Sequence, residues 1–237
     1  MVITAETPVR NIVVEVPNAI LVLERFGIDY CCGGKHTLAE ACTKRDQNVA
    51  FVLEELERCE QNTTSPDAQW QSAPLRDLID CIVQKHHKFT RDQLALIQEL
   101  ASKVERRHGT AHPEVHNMNE ALATISAELT HHFFCEENML FPYIEQLDQE
   151  KRPLPPVLFD NIQQPVTRMM MEHSQIGDEF RVLREITNNY LPPDDACTTY
   201  RALYRAMEDL ERDLHRHIHL ENNILFPRAQ VLESERA

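Results

Sequence analysis

One short string occurs twice in this chain and limits what it can fold into. His132-Phe133-Phe134-Cys135-Glu136-Glu137-Asn138-Met139-Leu140-Phe141-Pro142 is matched by His217-Ile218-His219-Leu220-Glu221-Asn222-Asn223-Ile224-Leu225-Phe226-Pro227. His132 and His217 are 85 residues apart, as are Glu136 and Glu221. Each copy sets a His and a Glu four apart, which on a helix puts both on one face, one turn apart. Two such helices in a repeated unit can turn two imidazoles and two carboxylates toward one shared interior.

The offset of 85 acts as a filter on a crowded field of twelve histidines. It pairs Glu128 with Asp213, so each motif carries a carboxylate four residues before its His. It sets His131 against Arg216 and Glu137 against Asn222, so by identity neither neighbour survives. A first helix for each hairpin comes from His87 and His173, which are 86 apart; His86, against Glu172, leads to no clear partner. The expected metal set is His87, His132, Glu136, His173, His217 and Glu221. Imidazole with carboxylate suits iron, manganese or zinc. Two histidines per metal leave the glutamates to bridge, and mixed N/O ligation with open positions suits redox iron better than a closed structural zinc. Glu128, Asp213 and Glu172 are placed to support the ligands or to handle protons.

The bland reading of one His-x-x-x-Glu is a solvated surface pair; two copies at matched offsets, with two more histidines in step, outweigh it. For the remaining histidines the bland reading stands. His36, His112 and His116 sit in loop contexts, and His86, His131, His215 and His219 read as solvated or supporting. His108 follows His87 by 21 residues, ~30 Å along a continuous helix, and is set aside.

Composition fits a helical frame. There are only 5 glycines in 237 residues, and Leu, Glu and Ala are abundant, which favours an all-α protein. The net charge of −14, with no basic run to offset it, argues against nucleic acid as a partner. No apolar run is long enough to span a bilayer, and no leader is visible. Seven cysteines without a framework spacing suggest a reducing cytoplasm.

Three parts follow from the pattern. Residues 1–60 form a small helical domain: Thr7-Pro8 opens one helix, Pro17 a second that stops at Gly27, a Thr37–Glu40 capping box a third, and Asn48 a fourth. Its central turn holds Asp29 to Lys35. Residues 61–72, beginning Gln61 to Asp67, are polar and aperiodic and read as a linker. Residues 73–237 carry four amphipathic patterns, separated by Gly109–His116, by Pro153, Pro155 and Pro156, and by Leu191–Asp195. They form an antiparallel four-helix bundle of two hairpins related by a pseudo-twofold.

The chain resembles the iron-sulfur cluster repair di-iron proteins, the "repair of iron centres" group, which are hemerythrin-like bundles with a small N-terminal domain. The likeness runs nearly full length. Asp29-Tyr30-Cys31-Cys32-Gly33-Gly34-Lys35, Val104-Glu105-Arg106, Met171-Glu172-His173, Ala196-Cys197-Thr198-Thr199 and Leu220 to Pro227 carry it, with both His-x-x-x-Glu motifs. It implies two non-haem iron ions per chain, with an oxo or hydroxo bridge. It also implies repair of iron-sulfur cluster proteins damaged by nitric oxide or oxidants, a cytoplasmic location and self-association as a homodimer. Iron supply to the damaged protein is the leading reading. The alternatives are reduction of nitric oxide at the same centre, or a hemerythrin-like carrier or sensor of dioxygen or nitric oxide. The resemblance also favours a functional role for Cys31 and Cys32, as a redox, nitrosyl-accepting or metal-passing pair. Lys35 and the start of the following helix would favour thiolate there. With Cys31 and Cys32, Glu128 and Glu172 complete the expected working residues beside the ligands.

Overall fold

A computed structural model describes residues 2–16, 18–31, 34–60, 68–148, 159 and 161–236. Four short helices come first: α1 (Val9–Glu15), α2 (Ala19–Arg25), α3 (Leu38–Lys44) and α4 (Val49–Glu60). Their ends follow local chemistry. Thr37 Oγ1 accepts from Glu40 N while Glu40 Oε2 accepts from Thr37 N, closing a capping box on α3. Asn48 Oδ1 accepts from the amides of Ala50 and Phe51 at the start of α4. Gly27 ends α2 at φ 64, where Ile28 N reaches back to Leu23 O; glycine adopts that left-handed conformation without strain. At α1 the expectation differs by one residue. Pro8 is the N-cap, and the Thr7 hydroxyl accepts instead from Thr4 N. Pro17 lies outside the described residues; α2 begins at Ala19 after Asn18.

A 3-10 turn, Ala68–Gln71, leads into the bundle. The Trp70 carbonyl accepts from Arg228, so the end of the expected linker is tied to the last helix. The rest of that linker, Gln61 to Asp67, and Pro153, Pro155 and Pro156 lie outside the described residues.

The bundle has four rods. The first is α5 (Leu75–Cys81), a π-helical segment Ile82–His87, and α6 (Lys88–His108). The second is α7 (Glu114–Cys135), a π segment Glu136–Leu140, and α8 (Phe141–Asp148). The third is α9 (Gln163–Ile186), unbroken. The fourth is α10 (Thr198–Leu220), a π segment Glu221–Leu225, and α11 (Phe226–Arg236). Among the described residues no helix is long and apolar enough to cross a membrane.

Apolar stripes fill the interior, each buried Leu or Ile contributing roughly 1.5–3 kcal/mol. Two apolar cores result. One joins the N-terminal helices to the far half of the bundle, through Ile12, Leu23, Leu56, Val104, Leu129, Phe180 and Leu203. The other holds the near end, through Leu75, Ile82, Leu140, Ile144, Met169 and Phe226. Every rod changes from one core to the other at about the same level: between Ile82 and Ile97, Phe133 and Cys135, Met169 and Ile176, Ile218 and Leu220. Among the buried polar side chains around that level are six that converge.

Candidate metal centre

Those six are His87, His132, Glu136, His173, His217 and Glu221, none more than 2% exposed. Two of the three π segments begin at the glutamates, and the third ends at His87. Each Glu carbonyl accepts from the Phe amide five residues on, Phe141 or Phe226. Pro142 and Pro227 come next. Proline has no amide hydrogen and crowds the carbonyl four residues back, so an ordinary α ladder cannot run through the motif. The widened turn is where the glutamate side chain meets the interior, a common use of π bulges.

The imidazoles converge in pairs. His87 Nε2 lies 3.2 Å from His217 Nε2, and His132 Nε2 lies 2.9 Å from His173 Nε2. Glu136 reaches both pairs, with Oε2 at 3.4 Å from His87 Nε2 and Oε1 at 3.2 Å from His132 Nε2. So does Glu221, with Oε1 at 2.9 Å from His217 Nε2 and Oε2 at 3.2 Å from His173 Nε2. Two four-residue groups result, His87–Glu136–His217–Glu221 and His132–Glu136–His173–Glu221, each with ligand atoms within 4.8 Å of one another. Both carboxylates are common to both groups.

The donor set fits a pair of cations. Both Glu136 oxygens and Glu221 Oε2 are buried without a hydrogen-bond donor in good geometry, an expensive arrangement for ionised groups unless a cation sits among them. Without metal, the histidines take up part of that charge. Burial works against protonation of His132, but the Glu136 carboxylate and Glu172 outweigh it and push its pKa up to about 10. Burial and the neighbouring Glu221 disfavour charge on Glu136, yet the imidazoles hold its carboxyl below the ordinary range. Glu221, also opposed by burial, is held lower still by His217 and His173. His217 goes the other way, pulled down by burial.

Around these six, the structure restores residues that identity across the repeat discards. Glu137 Oε1 accepts from His87 Nδ1 at 2.6 Å and is itself held by Arg91. Asn222 Oδ1 accepts from His173 Nδ1 at 2.9 Å. Glu172 Oε2 accepts from His132 Nδ1 at 2.8 Å and its other oxygen from Arg168. These bonds direct each Nε2 inward. The residue next to a ligand, on either copy, was the signal available in the sequence.

His86 and His219 are buried, not solvated. His86 pairs with Asp213 at 3.0 Å, and His219 with Asn223 at 2.9 Å. His131 is exposed and His215 half-buried. His116 stands in the first turn of α7 rather than in a loop. His108 ends α6, its Nε2 3.2 Å from Cys197 Sγ, and belongs to neither ligand group. Glu128 is half-buried with Oε2 unpaired; burial, then Glu179 and Glu172, raise its pKa.

Cys31 is 7% exposed, and both its amide and its thiol donate to Asp29 Oδ1. The expected helix N-terminus is not beside it: α3 starts at Leu38, and Thr37 caps it. The turn is pinned elsewhere. A Cβ at Gly34 would meet the Tyr30 carbonyl at 2.7 Å, and the carbonyls of Gly34 and His36 accept from the first amides of α1. Tyr30 packs edge-on to His219 at 5.7 Å, next to the ligand helix. Cys32 lies outside the described residues.

The hemerythrin HHE cation-binding domain matches residues 78–229, and the ScdA N-terminal domain, a domain of unknown function (DUF542), matches residues 5–60. The chain is 35% identical over 224 residues to the iron-sulfur cluster repair protein YtfE of Escherichia coli O81, covering 94% of this chain and 96% of that one. The Escherichia fergusonii protein of the same name matches at the same identity and coverage. The chain belongs to the hemerythrin-like iron-sulfur cluster repair family. In this member of the family, the cation-binding domain spans the whole ligand layer, and the N-terminal domain carries the Cys31 turn packed against α10.

Proposed function

We propose that this is a di-iron protein that repairs iron-sulfur clusters damaged by nitric oxide or oxidants, supplying iron to the damaged protein. The observation that carries the reading is the buried layer in which two His pairs share both carboxylates, joined to an N-terminal domain of the repair family. His87 with His217, and His132 with His173, would hold one iron each, and Glu136 and Glu221 would bridge them. An iron pair bound there, with an oxo or hydroxo bridge, supplies a redox-adjustable store of metal.

The other residues have definite tasks in this reading. Glu172 fixes the ring of His132 and is anchored by Arg168. Glu128, whose pKa burial, Glu179 and Glu172 raise, is the proton-handling group beside Glu172. Cys31 and Cys32 receive a nitrosyl group or pass iron outward. Residues 1–60 act as the client-facing unit, 61–72 as the connection and 73–237 as the iron store. The damaged cluster proteins are the partners, in the cytoplasm, with the chain working as a homodimer.

The test is to reduce the iron-loaded protein and offer it to an enzyme whose iron-sulfur cluster has been destroyed. Activity should return well above a control with the same amount of free iron; recovery equal to that control sinks iron supply. Two metal positions that share both carboxylates would also suit two nitric oxide molecules. Gas analysis with an electron donor separates the readings. Nitrous oxide formed over many turnovers would make the chain a nitric oxide reductase, whereas bound but unreduced nitric oxide would exclude it.

A further inference from the structure

The ligand layer repeats by a pseudo-twofold, but the hydrogen bonds around it do not. The residue after each glutamate, Glu137 or Asn222, takes the Nδ1 proton of His87 or His173. The residue before His173, Glu172, takes that of His132. The counterpart of Glu172 in the other hairpin is His86, and there the pattern breaks. The His86 ring stacks on His217 at 6.1 Å between centroids and 11° between planes, and its own Nδ1 turns to Asp213 at 3.0 Å. His217 Nδ1 is buried, and none of the described residues accepts from it. The His132/His173 position therefore has both rings fixed from outside, and the His87/His217 position has only one.

An acceptor on the outer nitrogen of a ligating imidazole orients the ring and raises its basicity, and losing one typically weakens metal binding about 10–100-fold. A carboxylate stands behind one ring at each position, Glu172 or Glu137, each held by an arginine. These cancel in the comparison. What remains is Asn222 behind His173 against no acceptor behind His217.

We infer that the His87/His217 position is the exchangeable one of the pair, and that His86 makes it so by occupying the place of a clamp without acting as one. This rests on the proposed two-metal reading and deepens it: the chain gives up one ion readily and keeps the other.

The experiment loads the full chain with ferrous iron without oxygen, counts the bound ions, then follows their capture by a colorimetric ferrous chelator. Loading that stops short of two ions per chain sinks the two-metal reading, and this inference with it. With two ions loaded, the expected result is two release phases of equal amplitude, at least about tenfold apart in rate. Glu137→Ala should quicken only the fast phase, because Glu137 is the one clamp at the exchangeable position. Glu172→Ala should quicken the slow phase and narrow the gap. A single phase in the wild-type chain overturns the inference. So does the reverse assignment, with Glu172→Ala acting on the fast phase and Glu137→Ala on the slow one.

Discussion

At the scale of single residues, the metal-free centre is a balance of six titratable groups in a space that disfavours charge. His132 is carried up to about 10 from 6.5, so its contribution to stability is complete below pH 6.5 and is lost as pH rises through 10. Glu136 and Glu221 are held below 4.5, so their contribution is present above pH 4.5 and is lost as pH falls. The apo protein should therefore have its highest thermal midpoint near neutrality and lose stability steadily toward pH 10. A midpoint that stays level or climbs over that alkaline range would refute this balance. The six converging side chains were legible in the sequence because a metal site demands particular side chains, and a fixed offset detects particular side chains. The outer residues were not, because an Nδ1 proton needs only an acceptor. Glu137 and Asn222 do the same work with different chemistry, and a comparison by identity passes over them. His86 is the opposite case, a position where the repeat offers a clamp and this chain supplies none.

At the scale of elements, the apolar stripes of the four rods were readable from helical periodicity. On the first rod's stripe, Leu75, Leu78, Ile79 and Ile82 are buried as the spacing predicts, and Val83 is half-buried. The π segments were not readable, since the extra residue of one widened turn shifts the stripe by a single position, within the ordinary scatter of apolar spacing. Their trace in the sequence is the Phe-Pro that follows each glutamate. Restoring an amide at that point, with Pro142→Ala, should let the α ladder close and turn Glu136 away from its two His partners. Metal affinity should fall by about tenfold with far-ultraviolet circular dichroism unchanged, and an affinity equal to wild type would detach the π turn from ligand placement. The capping box on α3 was legible because it is a local signature. Thr37→Ala should cost about 1 kcal/mol in denaturant titration. A loss within error of zero would mean that the α1 and α3 contacts hold this end without the cap.

At the scale of the whole molecule, the sequence suggests two units, and the structure packs them through one apolar core that runs from Ile12 and Leu23 to Leu203. A polar stretch in sequence can mark a boundary, but it does not reveal which surfaces meet across it. Tyr30 against His219 is such a contact, invisible in the sequence because the two residues share no period or motif. It sets the Cys31 turn beside the helix that carries His217 and Glu221. In the proposed function the two units have separable tasks. Cys31→Ser should keep two irons per chain and lose most of the repair of a damaged cluster enzyme; full repair by this variant would remove Cys31 from the account. The central claim is that both carboxylates serve both metal positions, so losing one must disturb both. Iron analysis of the wild-type chain and Glu136→Ala, reconstituted side by side, tests it most directly. Two irons per chain in the wild type and fewer than one in the variant is the result this account predicts; a variant that still holds two irons, or a wild type that holds none, would contradict it.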